Sequence, residues 1–157
     1  APFAEMGQDA EVMRYLGPPL SRDASDAAID RMIAAQAANG FCFWALEQKA
    51  DGAFIGFCGL LPVTLDAVPA GSIEAGWRLR RASWGQGFAS EAARASLGWG
   101  FAHGIARIIA FTTVTNLPSQ RVMQRTGMVR RADLDFDHPR LAAYDPLRPH
   151  VVYEATP

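Results

Sequence analysis

The segment Trp84-Gly85-Gln86-Gly87-Phe88-Ala89 constrains the chain more than any other. It lies between a strand-like run at residues 72–79 and an alanine-rich helical run at residues 89–103. Two glycines at a strand-to-helix turn permit backbone conformations that a Cβ disfavours, and they let the main chain come close to a ligand. The helix beyond opens with unpaired N–H groups and the positive end of its dipole, which together favour an anion such as a phosphate. Many Gly-x-Gly turns only reverse the chain, so the meaning of this one rests on its surroundings.

Before the turn, residues 3–16 read as a short helix ended by Gly17-Pro18-Pro19. Residues 26–39 read as a second helix, with Ile29, Met32, Ile33 and Gln36 on one face and Gly40 as its stop. Residues 41–48 and 53–61 are strand-like on either side of Asp51-Gly52, which predicts a β-hairpin. After the turn, residues 107–114 form an apolar, β-branched run suited to a strand covered on both faces. Residues 117–126 read as a short helix, with Pro118 in its first turn and Gly127 at its end. Residues 128–136 and 151–155 read as closing strands. This order predicts one α+β domain over residues 1–157, with a layered, mixed sheet. The small residues of the helix at 89–103 suit close packing on that sheet. The strands before and after it are expected to be parallel, joined by a right-handed crossover.

Composition narrows the function. Half of the 157 residues are hydrophobic, a fifth are charged, and the net charge is -1. That balance suits a water-soluble globular protein and offers no electrostatic case for a nucleic-acid or membrane surface. No apolar run approaches the roughly 20 residues needed to cross a bilayer, and the first residues lack a signal-peptide pattern. Cys42 and Cys58 are expected to be buried free thiols, which fits the cytoplasm. The three histidines are scattered and stand at no metal-ligand spacing, so no metal is expected. His103 ends a helix, where capping is its expected role.

Seven of the fifteen basic residues flank two loops: Arg78, Arg80 and Arg81 around the glycine turn, and Arg121, Arg125, Arg130 and Arg131 around the later helix. Guanidinium groups pair well with phosphate oxygens, so a phosphate-rich ligand between the loops would use them. The alternative is that they are solvated surface charges.

These residues carry a resemblance. Residues 85–92 (Gly-Gln-Gly-Phe-Ala-Ser-Glu-Ala) resemble the acyl-CoA pyrophosphate loop of the GNAT superfamily of N-acetyltransferases. Residues 115–122, with Gly127-Met128, are similar to the second block of its RimJ/RimL-type branch, and residues 73–79 to the strand before the loop. Residues 9–16 resemble the branch's first helix; His138-Pro139 and residues 150–153 resemble its ending. The resemblance implies a mostly antiparallel sheet with helices on both faces and one splayed parallel strand pair. Acetyl-CoA would insert its pantetheine arm between those two strands, and an amine acceptor would arrive from the other side. Backbone N–H groups from Trp84, Gly85, Gln86, Gly87, Phe88 and Ala89 would hold the pyrophosphate. Backbone groups of Trp77, Arg78 and Leu79 would pair with the pantetheine amides in the manner of an added strand. Asn116 would bond the pantetheine or close the site, and Ser119 and Arg121 would face the cofactor.

The chain departs from the family pattern in three ways. The superfamily motif often has glutamine or arginine where this chain has Trp84, an aromatic that is common in this branch, so phosphate binding would lean on backbone groups. Many members place a general-acid tyrosine where this chain has Met123, and a thioether cannot donate a proton. Ser119 or a water would then protonate the departing thiolate. The family's first edge strand is also missing ahead of the first helix. The sheet edge beside the next strand would then be open or covered by a partner chain, which makes a homodimer possible.

Acetyl transfer needs a neutral amine, and an α-amine or lysine amine is largely protonated at neutral pH, so a base helps. Glu74 is the candidate; the alternative is a surface glutamate paired with Arg78 on the same strand face. Glu91 competes, but its place in a helix first turn suits dipole complementation. Trp44, Tyr15 and Trp77 are candidates to line the acceptor cleft, with Arg14 as a contact for an acceptor carboxylate. Two functions follow. One is an acetyl-CoA-dependent N-acetyltransferase acting by direct attack on a small amine or a protein N-terminus, since no cysteine in the motifs offers a covalent route. The other is a non-catalytic acyl-CoA-binding or sensory domain, which the absent tyrosine keeps in play.

Overall fold

The computed structural model describes residues 2–157. Two short helices, α1 (Pro2–Gln8) and α2 (Ala10–Met13), replace the single helix expected at residues 3–16. The break is Asp9, whose extended backbone lets its carboxylate accept from the N–H of Glu11 at 2.9 Å and of Val12 at 3.3 Å, capping α2. Helix α3 (Arg22–Asn39) starts earlier than the apolar periodicity indicates, because Ser21 caps it by accepting from the Ala24 N–H. It ends where predicted, at Gly40 with φ +80°. Its inward face is narrower than expected. Ile29 and Met32 pack on Phe3, Met6, Val12 and Phe57, whereas Ile33 stays exposed.

The hairpin forms as predicted, with β1 (Phe43–Glu47) antiparallel to β2 (Phe54–Pro62). Strand β3 (Ile73–Leu79) continues the antiparallel order beside β2. Helix α4 (Phe88–Ala102) then crosses to β4 (Ile108–Thr113), which runs parallel to β3. Helix α5 (Leu117–Arg125) follows, and then β5 (Val129–Arg130), β6 (Phe136–Asp137) and β7 (Pro149–Ala155). The strands lie in the order β1-β2-β3-β4-β7-β5, with β6 also against β7. Every pairing but β3–β4 is antiparallel, as the α+β reading requires. Among the described residues, β1 is the last strand on its side of the sheet.

The strand expected at residues 128–136 is two short pieces around a 3-10 turn at Ala132–Leu134. Side chains rather than a continuous ladder tie this run to β7. Asp135 accepts from the Val152 N–H at 3.1 Å and pairs with Arg130, while Arg131 reaches Glu154 at 2.7 Å.

Alternation along β3 decides what each face carries. Ala75 joins Leu60, Leu97, Ile108, Ala110, Met123 and Tyr153 in the core beneath α4 and α5. Glu74, Gly76 and Arg78 therefore face the other side, toward the layer of α1 to α3. The parallel pair is in register only at Ile73 with Ile108 and Glu74 with Ile109. Beyond these residues the strands separate, and the split widens toward the C-terminal end of β3, where the glycine turn lies.

Candidate active site

At the end of β3, a 3-10 turn (Arg81–Ser83) swings the chain toward α4, and Arg80 Nε braces it by donating to Ser83 Oγ at 3.1 Å. Gly85 and Gly87 follow at φ +74° and +85°, the left-handed region that a Cβ disfavours. Gly87 is the N-cap of α4 and brings no side-chain acceptor, so the first N–H groups of the helix stay open. A Cβ at Gly87 would meet nothing within 4 Å beyond its own chain neighbours among the described residues. The space above the turn is thus free, and the donors lining it are main chain. Gln86 turns away from it, donating to the Ala82 carbonyl at 3.0 Å. Trp84 is 46% exposed and donates from Nε1 to the Leu79 carbonyl at 2.9 Å.

The β2–β3 ladder sorts the candidate groups on β3. Val63 N–H donates to the Ser72 carbonyl and Arg80 N–H to the Ile55 carbonyl. Between those two pairs an antiparallel ladder bonds every second residue. The main chain of Arg78 is therefore turned to Phe57 on β2, while the N–H and C=O of Trp77 and Leu79 point toward β4, where no strand pairs with them. With the Leu79 carbonyl occupied by Trp84, the groups facing the split are Trp77 N–H, Trp77 C=O and Leu79 N–H.

The β4–α5 corner is more closed. Asn116 caps α5, accepting from the Ser119 N–H at 3.3 Å and donating from Nδ2 to Thr112 Oγ1 at 2.9 Å. Ser119 is half-buried one turn before Met123, which is only 1% exposed within the core. Met123 is thus a packing residue, and Ser119 Oγ lies on the same side of α5. Of the seven flanking arginines, Arg130 is paired with Asp135, and Arg131 with Asp133 and Glu154. Arg81, Arg121 and Arg125 remain exposed, and no ion pair engages them among the described residues.

Glu74 is half-buried and has no hydrogen-bond or ion-pair partner among the described residues. Loss of solvent pushes its pKa from an ordinary 4.5 up to about 7. The pairing with Arg78 raised by the sequence does not form; the guanidinium lies over the Phe57 ring instead, 5.3 Å from its centroid. A carboxyl group that titrates near neutral pH beside the apex of the split is chemically suited to take a proton from an ammonium group. Glu74 and Ser119 sit on opposite faces of the sheet, with the split between them.

The structure places the four other candidates as follows. Trp44 packs edge-on to Trp99 of α4 at 5.2 Å and donates from Nε1 to Gln36 of α3, and Trp77 packs on the core beneath α4. Arg14 is exposed and stacks on its neighbour Tyr15. His103 does cap α4, with Nδ1 2.7 Å from the Trp99 carbonyl. The sequence reading missed the Asn116 cap, although an asparagine just before a helix with proline in its first turn is a capping signal. It also missed the lone charge of Arg78, which no local pattern reveals.

The acetyltransferase (GNAT) domain profile matches residues 1–129. An uncharacterized protein of Bacillus subtilis (strain 168), YkkB, is 29% identical over 127 residues, covering 80% of this chain and 73% of that protein. The FsC-acetyl coenzyme A-N(2)-transacetylase of Aspergillus fumigatus is 32% identical over 132 residues, covering 79% of this chain and 55% of that protein. A GNAT-family acetyltransferase structure from Bordetella pertussis superposes with a TM-score of 0.78 at 23% identity, covering 99% of this chain and 90% of that one. The profile spans both the glycine turn and the helix after it, and the superposition extends the same fold to the last strand. This chain belongs to the GNAT family of acetyltransferases.

Proposed function

We propose that the chain transfers the acetyl group of acetyl-CoA to a primary amine by direct attack within a ternary complex. The observation that carries this reading is the unpartnered, desolvated Glu74 beside the apex of a split whose far end is an uncapped helix N-terminus. The pyrophosphate rests on the open N–H groups from Gly85 into the first turn of α4. The pantetheine lies along β3 and bonds Trp77 N–H and C=O and Leu79 N–H. Arg121 adds long-range attraction for the phosphates. Asn116 acts on this site by holding the first turn of α5 in place.

The amine nitrogen attacks the thioester carbon, and a main-chain N–H of β3 meets the oxygen as it gains charge. Glu74 accepts the proton lost by the amine, through a water where the reach requires one. The C–S bond then breaks, and Ser119 Oγ or water supplies the proton to the thiolate. Acceptors of the RimJ/RimL type, protein N-termini or small amines, fit this chemistry. A binding-only domain has no need of an isolated carboxyl group held near neutrality, which favours catalysis over the sensory alternative. Two buried free thiols suit a reducing compartment such as the cytoplasm.

The test is thiol release from acetyl-CoA across a panel of amines, as a function of pH. Release that requires an amine and rises through about pH 7 in the wild type, but not in Glu74→Gln, is the expected result. Tight CoA binding with no amine-dependent release would leave only the binding-module reading.

A further inference from the structure

Arg78 is a cation that the protein does not neutralise. Its Nε is buried without a hydrogen-bond partner, and no carboxylate among the described residues forms an ion pair with it. Burial lowers its pKa. Arg22, Arg107, Arg130, Arg131 and Arg148 all have acidic partners, so the chain is not short of them. Arg78 is half-buried, and a partly desolvated charge whose Nε is buried without a partner calls for a reason.

Its neighbours suggest the reason. Glu74 lies on the same strand face four residues earlier, with Cα atoms about 13 Å apart at strand rise. Between them is Gly76, where a Cβ would lie only 2.6 Å from Phe43 Cζ, so the Phe43 ring covers the gap. Phe43 stacks on Phe57 at 5.5 Å, and Phe57 in turn carries the Arg78 guanidinium. A carboxyl group, an aromatic floor and a guanidinium thus follow one another along the face turned away from α4 and the glycine corner.

We propose that Arg78 selects the acceptor, an amine that carries a carboxylate several bonds away. The carboxylate meets the guanidinium, the methylenes lie over Phe43, and the amine turns toward Glu74. This rests on the acetyl-transfer reading of the site. A guanidinium suits the task because its planar fork matches a carboxylate, and stacking on an aromatic ring holds it without an acidic neighbour.

Thiol release is measured with 4-aminobutanoate and 6-aminohexanoate, each beside its primary amide, on wild type, Arg78→Met and Arg78→Lys. The wild type is expected to favour the acids by about 10- to 100-fold in kcat/KM, mainly through KM. Arg78→Met keeps apolar packing on Phe57 and brings that ratio to about one, while Arg78→Lys restores part of it. A wild type indifferent to the carboxylate overturns the proposal, as does a methionine variant that slows acid and amide equally. A roughly tenfold loss of CoA affinity in Arg78→Met with the acid preference retained overturns it in favour of a cofactor contact. Calorimetry of 6-aminohexanoate binding to the CoA complex separates the two readings. Binding that needs Arg78, without thiol release from any amine, supports the anion site and ends the acetyl-transfer reading. Release from neutral amines with no Arg78-dependent binding ends the anion site alone.

Discussion

On the β3 side of the split, open main-chain donors and two charged side chains stand without partners among the described residues. On the β4 side the groups that shape the corner are largely engaged with one another. Glu74, Arg78, the inward N–H groups of Trp77 and Leu79 and the uncapped start of α4 all belong to the first side. Across the split, Thr112, Asn116 and Ser119 form a closed chain of hydrogen bonds, Met123 is core, and Arg130 and Arg131 are held by acids. Among the described residues the exceptions are Thr113 Oγ1, buried and unpartnered, and the exposed Arg121 and Arg125 of α5, which no ion pair engages. The two helix N-termini show the contrast most directly. Both could face an anion, but Asn116 already occupies a donor of α5, whereas Gly87 leaves those of α4 free. Ligand chemistry is therefore concentrated on β3 and the corner after it, and the β4–α5 corner is the scaffold that holds the split open.

Substitutions on the two sides should fail differently. The largest effect is expected from Glu74→Gln, which should lower kcat/KM on the order of 100- to 10,000-fold for a strongly basic amine. Its stability should move the other way. The folded pKa of Glu74 is raised, so its contribution is fully present below about pH 4.5 and is lost as pH rises through about 7. Urea unfolding at pH 8 should therefore show Glu74→Gln to be more stable than wild type, by about 3 kcal/mol at most for a half-buried group. Equal stability at that pH would mean that the carboxyl group is not desolvated.

Next comes Gly87→Asn. Asparagine tolerates a positive φ better than other residues with a Cβ, so the fold should survive where a β-branched residue would strain the turn. Its side chain would nevertheless fill the free space above the turn. Titration should show CoA binding weakened about 100-fold with a melting temperature within a few degrees of wild type. Asn116→Ala should reverse the pattern, costing about 1–2 kcal/mol of stability and weakening CoA by no more than about threefold. The smallest effect belongs to Arg131→Ala, which should leave both the melting temperature and the CoA affinity close to wild type, because partly exposed ion pairs contribute little. If Asn116→Ala weakened CoA as much as Gly87→Asn does, the division between site and scaffold would be wrong.

Much of the architecture was legible in the sequence because it is local. The hairpin, the crossover through α4 and the stop at Gly40 each follow from turn residues and periodicity within a few positions. The Asp9 break could have been read from an aspartate two and three residues before the N–H groups it accepts, but the apolar run on either side masked it. The run at residues 128–136 resisted for a different reason. Its strands are set by Arg130, Arg131 and Asp135 bonding to β7, which lies about twenty residues further along the chain. The carboxyl candidate Glu74 was visible from its strand and the glycine turn. Its solitude was not, since Arg78 on the same face looked like a partner. Only the structure shows that guanidinium lying on Phe57.

The central claim, that the β3–α4 corner and not the β4–α5 corner receives the cofactor, is tested most directly by titrating CoA into the 15N-labelled protein and following backbone amide shifts. The account predicts the largest shifts at Gly85 to Ser90, with Trp77 and Leu79 also moving and Leu117 to Gln120 changing little. Dominant shifts at Leu117 to Gln120, with Gly85 to Ser90 unmoved, would contradict it.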